Sequence, residues 1–107
     1  MKTLNQIQTT IYQLEATGRA AKNEKEKNRC RKELKLARKA LMYLEYSPTE
    51  ESITRQLDTA LKRISIIQEE FEYRYPSYCD AKTKSDFMKG NGLPEIKKQV
   101  ELLKYIL

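Results

Sequence analysis

Residues 44–53 have the sequence LEYSPTEESI, and this stretch decides how the helices on either side of it are arranged. Ser47 stands where a helix N-cap is expected, Pro48 takes the first helical position and Glu50 the third, which is the pattern of a capping box. We therefore predict that one helix ends within a residue or two of Tyr46 and that the next begins at Pro48. Such a short connection favours an antiparallel helix pair.

Apolar residues recur at intervals of three and four on both sides of this turn, which is the spacing of amphipathic helices. The helix after the turn is predicted over about 48–74, because Pro76 disfavours helical backbone angles in the residue before it. The helix before the turn is predicted over about 20–46, and we favour Gly18 as the break from a first helix. The alternative is one unbroken helix over 3–46, whose two apolar stripes would lie about 120° apart and need different partners.

The last third of the chain is less regular. Residues 76–92 are expected to form an irregular connecting segment, with room for one short helix around 80–89. Pro94 is expected to start the last helix. The predicted fold is all-α, with a long antiparallel coiled-coil-like hairpin of 20–46 and 48–74. Shorter N- and C-terminal helices would pack on this hairpin, so that the 107 residues form a single domain, a three- or four-helix bundle.

The composition limits the classes of protein to which the chain can belong. Apolar residues make up 39% of it and charged residues 34%, which suits helices with one buried stripe and several wet faces. The sequence contains neither an apolar run of about 20 residues nor a secretory signal. We therefore expect a cytoplasmic protein that has no membrane partner.

The residue types for catalysis and metal binding are sparse. The sequence contains no histidine, and its two cysteines, Cys30 and Cys79, are not spaced as a CxxC pair. A structural zinc normally needs four Cys or His ligands, and His is the most frequent acid–base residue in enzymes. A Gly-rich phosphate loop is also missing. We therefore predict a binding protein that is not an enzyme and has no metal, no cofactor and no small-molecule substrate.

The function we favour is protein–protein interaction, in which helix faces and a Tyr-rich loop dock on a larger partner as an accessory, adaptor or inhibitor. Two apolar pairs of residues, Leu36 with Tyr43 and Ile66 with Tyr73, lie off the predicted core stripes of their helices. Tyrosines, which are favoured at interfaces, also cluster around Pro76. The predicted protein-binding residues are Leu36, Tyr43, Ile66, Tyr73, Tyr75 and Tyr78. A homodimer and a structural subunit of an assembly are alternatives that use the same surfaces. Coverage by the first and last helices would explain the two apolar pairs without any partner. The tyrosines around Pro76 would in the same way need no partner if their rings pin the irregular segment onto the open end of the bundle.

A second functional interpretation is nucleic-acid binding through a basic face of the second helix. Residues 18–46 carry ten Lys and Arg against four Glu, so this stretch alone matches the net charge of +6 of the whole chain. At helical spacing, part of this charge would form a positive strip about 21 Å long, enough to contact several phosphates. The predicted nucleic-acid-binding residues are Lys25, Arg31, Lys32, Lys35, Arg38 and Lys39. A solvated helix face is the alternative, because no nucleic-acid-binding motif accompanies the strip.

Overall fold

The structure, a computed structural model, describes residues 1–75 and 80–107. Within these residues it contains five helices and no strand, so the predicted all-α fold is confirmed. The helices are α1 (Leu4–Ala20), α2 (Glu24–Leu44), α3 (Glu50–Arg74), α4 (Ala81–Gly90) and α5 (Leu93–Ile106). Helix α4 occupies most of the segment that was expected to be irregular, at the place where a short helix was expected. No helix among the described residues is both long and apolar enough to cross a membrane.

Helices α1 and α2 are separate, as the favoured prediction has it, but the break does not lie at Gly18. Helix α1 continues through Gly18 and ends at Ala20. The side chain of Asn23 then caps α2 by accepting a hydrogen bond from the Glu26 amide at 2.8 Å. An Asn at this position satisfies one of the free amides in the first turn of a helix, and this capping places the start of α2.

The turn between α2 and α3 differs from the predicted capping box at Ser47. Ser47 has a φ of 52°, in the left-handed region, and its amide donates to the Leu44 carbonyl at 3.0 Å. Ser47 therefore closes α2, as a residue of this conformation commonly does. The N-cap of α3 is Thr49, whose hydroxyl oxygen accepts from the Ser52 amide at 3.0 Å. Helix α3 consequently begins at Glu50 rather than at the preceding proline.

The two long helices have different partners from those in the predicted hairpin of 20–46 and 48–74. Helix α2 packs against α1 and α5, and helix α3 packs against α5 and α4. No Cα atom of α2 lies within 8 Å of a Cα atom of α3. The physical reason is that α1 and α5 already cover the apolar stripes that the two long helices would have turned towards each other. The connecting turn is also longer than the capping box implied.

The apolar core has two parts. The first lies where α1, α2, α3 and α5 converge, and its buried residues are Ile7, Ala37, Ala40, Leu44, Ile53, Leu103 and Ile106. The second lies between α3, α4 and α5, and its buried residues are Ala60, Ile67, Leu93, Ile96 and Val100. Leu57 packs against both parts and joins them.

The molecule is flattened. It measures 50 × 38 × 15 Å along its principal axes. Several grooves between or along neighbouring helices are open to solvent. These grooves are therefore the places to look for binding sites.

The two ends of the described structure lie together. The Lys2 amide donates to the Ile106 carbonyl at 2.8 Å, and the Lys2 ammonium lies 4.3 Å from the centroid of the Tyr105 ring. The amino group of Met1 pairs with the Glu50 carboxylate at 3.8 Å. The start of α1, the start of α3 and the end of α5 therefore meet at one point of the surface.

Candidate functional site

A groove between α2 and α5 brings together residues to which the sequence assigned two different functions. This α2–α5 cleft has a volume of about 500 Å³ and is open to solvent. It is lined by Lys32, Lys35, Leu36 and Lys39 from α2 and by Lys98, Gln99, Glu101 and Leu102 from α5. The cleft thus combines a predicted protein-binding residue with three of the predicted nucleic-acid-binding residues.

Helical spacing explains why these side chains share one groove. Lys32, Leu36 and Lys39 are separated by four and three residues, so they follow one side of α2. Lys98 and Leu102 are separated by four residues and follow one side of α5 in the same way. Leu36 and Leu102 are half-buried, whereas the three lysines are exposed. The cleft therefore has an apolar floor and a positively charged rim.

Tyr105 of α5 lies near α2. Burial raises the pKa of Tyr105, and the charge of the Glu33 carboxylate on α2 raises it further. Ala37 and Ala40 of α2 are fully buried in the same core cluster as Leu103 of α5. Small side chains of this kind allow two helices to approach closely.

The charges of the α2–α5 cleft are unbalanced. Four lysines line it, and Glu101 is the only acidic residue among its lining residues. None of the four lysines forms an ion pair with another described residue. Like charges that converge on one groove produce a positive potential there, and this potential attracts an acidic ligand.

The six predicted nucleic-acid-binding residues are divided among different surfaces. Three of the six, Lys32, Lys35 and Lys39, line the α2–α5 cleft. Arg38 points towards α1 and pairs with the Glu15 carboxylate at 3.3 Å. Arg31 lines a separate groove between α1 and α2, and Lys25 lies near the start of α2. The continuous strip expected from helical spacing is therefore split between the side of α2 that faces α1 and the side that faces α5.

Two of the predicted protein-binding residues are engaged in packing within the chain. The Tyr43 hydroxyl donates to the side-chain oxygen of Gln56 at 2.5 Å, and its ring packs against the first core cluster. The Tyr75 ring stacks on Phe71 with 5.1 Å between centroids and meets Phe87 edge-on at 6.1 Å. These two tyrosines therefore support the fold, and their packing needs no external partner.

Two other predicted protein-binding residues are open to solvent on the outer side of α3. Ile66 is 60% exposed and Tyr73 is 87% exposed. They are seven residues apart, so they lie on the same side of the helix. Tyr78 lies outside the described residues.

Sequence reasoning missed the α5 half of the cleft. Lys98 and Leu102 lie four residues apart, and Leu102 falls outside the apolar stripe of Ile96, Val100 and Leu103. An off-stripe leucine close to lysines is the same signal that pointed to Leu36. Only the packing of α5 on α2 shows that the two signals belong to one groove.

The described residues offer little for metal chemistry. They contain no group of three or more His, Cys, Asp or Glu residues that could hold a metal ion. The thiol of Cys30 is free and buried between α1 and α2. A buried free cysteine of this kind behaves as a small apolar side chain.

Comparisons with known proteins do not extend this description. No protein-family model matches the chain, and no curated protein or solved structure is significantly similar to it. The α2–α5 cleft and the exposed side of α3 are therefore the features on which a function can be based.

Proposed function

We propose that this protein is a non-enzymatic interaction module that captures a protein partner in the α2–α5 cleft. One observation carries the proposal: two half-buried leucines from different helices share a groove with four lysines that form no ion pair. Apolar floors provide binding free energy when a partner removes them from water, and charged rims guide and orient the partner. This combination favours recognition of a polypeptide surface.

The lysines of the cleft differ from part of the charge on α3. Glu51–Arg55, Asp58–Lys62 and Glu70–Arg74 are ion pairs within that helix, all within 3.5 Å, whereas Arg63, Glu69 and Glu72 form no ion pair with a described residue. Charges that are paired within one helix need no external partner. The lysines of the cleft lack this arrangement, so an external partner that carries negative charge would relieve their mutual repulsion.

The outer side of α3 would form a second contact with the same partner. Ile66 and Tyr73 are exposed there, beside Leu61, which is also exposed. Exposed aromatic and aliphatic side chains are enriched at protein interfaces. The module would act as an adaptor or inhibitor by docking on a larger protein. The corresponding alternatives are a homodimer and a structural subunit, which light scattering separates from a monomeric adaptor.

Nucleic-acid binding is the second candidate, because three predicted residues, Lys32, Lys35 and Lys39, share the cleft with Lys98. One observation favours a protein partner instead. No aromatic side chain lines the cleft, whereas single-stranded nucleic acids are usually bound by stacking on aromatic rings.

Affinity capture with cleft variants tests the proposal. The tagged protein is incubated with lysate of the cells that produce it, with and without nuclease treatment, and the retained proteins are identified by mass spectrometry. The cleft variant is Lys35→Glu/Lys98→Glu, and the charge-matched control is Lys22→Glu/Lys82→Glu, at exposed lysines outside the cleft. We expect a partner that the wild-type protein and the control retain and the cleft variant loses. Equal retention by all three proteins, or retention that nuclease abolishes, would contradict the proposal.

A further inference from the structure

Building on the proposed function, we infer that the α2–α5 cleft recognises an acidic amphipathic segment, in which aliphatic side chains are flanked by Asp and Glu. The aliphatic side chains would cover the leucine floor, and the carboxylates would meet the lysines of the rim. The floor and the rim of the cleft each support this one kind of occupant.

The floor of the cleft selects aliphatic side chains. Leu36 and Leu102 are half-buried and come from two different helices, so they form a depression rather than a ridge. Amphipathic helices bind to such grooves through anchors spaced by three, four and seven residues. The anchor that fits here is a Leu, Ile or Met that enters between the two leucines.

The rim selects carboxylates at a definite spacing. Lys32 and Lys39 are seven residues apart, or about 10 Å along α2, and they flank Leu36 on either side. Lys98 faces them from the other wall of the cleft. A partner helix with acidic residues about two turns apart would place one carboxylate near each end of the α2 wall. Lysine suits this role, because its ammonium is a hydrated point charge that tolerates varied geometry.

The leucine floor favours a polypeptide over a nucleic acid, because a sugar–phosphate backbone has no aliphatic side chain to cover it. Glu101 weakens the attraction of the cleft for any acidic ligand. It lies three residues after Lys98 on α5 and lowers the positive potential at that end of the cleft. We therefore expect Glu101→Gln to raise the affinity for an acidic peptide by about twofold, since it removes a weak exposed like-charge repulsion.

Binding of designed peptides tests the inference. The first probe is a synthetic amphipathic helical peptide with Leu at three-four spacing and Glu at the remaining positions. Its counterpart carries Lys in place of every Glu, and a single-stranded and a duplex oligonucleotide complete the set. Fluorescence anisotropy at about 50 mM salt measures binding, because higher ionic strength screens exposed charges. We expect the acidic peptide to bind at least about tenfold more tightly than its basic counterpart.

Variants locate the binding to the cleft. We expect Lys35→Glu/Lys98→Glu to weaken binding of the acidic peptide by about tenfold or more, and Lys22→Glu/Lys82→Glu by less than about twofold. Leu36→Ser tests the floor without a change of charge, and Leu36 lies outside both core clusters. Circular dichroism checks that each variant is folded. Loss of peptide affinity in the folded Leu36→Ser variant supports the inference, and unchanged affinity contradicts it.

Three outcomes would overturn the inference. They are equal binding of the acidic and basic peptides, equal loss in the cleft and control variants, and tighter binding of an oligonucleotide through the same lysines. A photo-crosslinker at Gln99 separates this inference from the proposed function, because Gln99 lines the cleft. Cross-linking to a captured partner through a segment poor in Asp and Glu would refute the acidic occupant but retain the function. Absence of any cleft-dependent partner would refute the function itself.

Discussion

Gly18 of α1 lies directly against Cys30 of α2: a Cβ atom placed on Gly18 would be 3.6 Å from the Cβ of Cys30. This distance is an ordinary van der Waals contact, so a methyl group at Gly18 fits against Cys30 without a shift of either helix. Gly18 was expected to break a helix, but it lies within α1 at a point where α1 and α2 are close. Its substitution therefore measures how tightly these helices pack.

We predict that Gly18→Ala stabilises the protein by up to about 1 kcal/mol, because Ala is the better helix former and its methyl group fits against Cys30. Gly18→Leu is expected to destabilise it by about 1–3 kcal/mol, because the larger side chain would push the helices apart. Urea denaturation gives both values. Thr17→Ala, at an exposed neighbouring position, is the control for helix propensity alone. Destabilisation by Gly18→Ala would mean that the two helices are closer than described.

The turn between α2 and α3 gives the second prediction. Ser47→Gly should stabilise the protein by about 0.5–1 kcal/mol, because glycine adopts a positive φ without the steric cost that serine bears. Thr49→Ala should destabilise it by about 1 kcal/mol, because the Ser52 amide loses its capping partner. Thermal unfolding followed by circular dichroism measures both changes. The opposite pattern, with a cost at Ser47 and none at Thr49, would restore the capping box predicted from the sequence.

Adjacent isoleucines on α3 give the third prediction. Ile67 is 8% exposed in the second core cluster, whereas Ile66 is 60% exposed on the outer side of the helix. We expect Ile67→Ala to cost about 2–4 kcal/mol and Ile66→Ala to cost less than about 1 kcal/mol. Chemical denaturation of the two variants checks this difference. Similar costs at both positions would show that the outer side of α3 is covered, for instance in a homodimer.

The fourth prediction concerns the pH dependence of α4. The Thr83 amide donates to the Asp80 carboxylate at 2.7 Å and lowers its pKa, and the Thr83 hydroxyl contributes further. A lowered pKa means that the charged cap stabilises the folded state above the ordinary pKa of Asp. This stabilisation is lost as the pH falls through the lowered value.

NMR titration tests this linkage. We expect the amide signal of Thr83 to shift with a midpoint below the ordinary pKa of an aspartate, and the helical shifts of α4 to weaken over the same range. Asp80→Asn keeps a capping oxygen that does not titrate, so α4 should persist in acid in that variant. A Thr83 signal that titrates at the ordinary value would contradict the cap.

Helices α1, α2, α3 and α5 could be predicted from the sequence, because three-four spacing of apolar residues defines both the presence and the buried side of each. Helix α4 has no buried residue, and the sequence indicated only room for a short helix in an irregular segment. The exact start of α3 could not. Ser47 and Thr49 both offer a hydroxyl at a helix start, and the backbone conformation of the turn decides between them. The pairing of helices could not be predicted either. An apolar stripe shows that a helix needs a partner, but it does not show which helix provides it.

The candidate site could likewise be predicted only in part. Leu36 stood out because it lies off the apolar stripe, and Lys32, Lys35 and Lys39 stood out because of charge, yet they suggested two functions. They form one groove only because α5 crosses α2 and adds Lys98 and its neighbours. This crossing depends on tertiary packing between distant parts of the chain, on which local spacing carries no information.

The hydrogen bond between the Lys2 amide and the Ile106 carbonyl has a consequence for protein engineering. Because the two ends are adjacent, a linker of a few residues could join them into a circular backbone without displacing a helix. A new start could then be opened in the connection between Ala20 and Asn23, where no helix is interrupted. Such a permutant would retain the α2–α5 cleft, because both helices that line it remain intact.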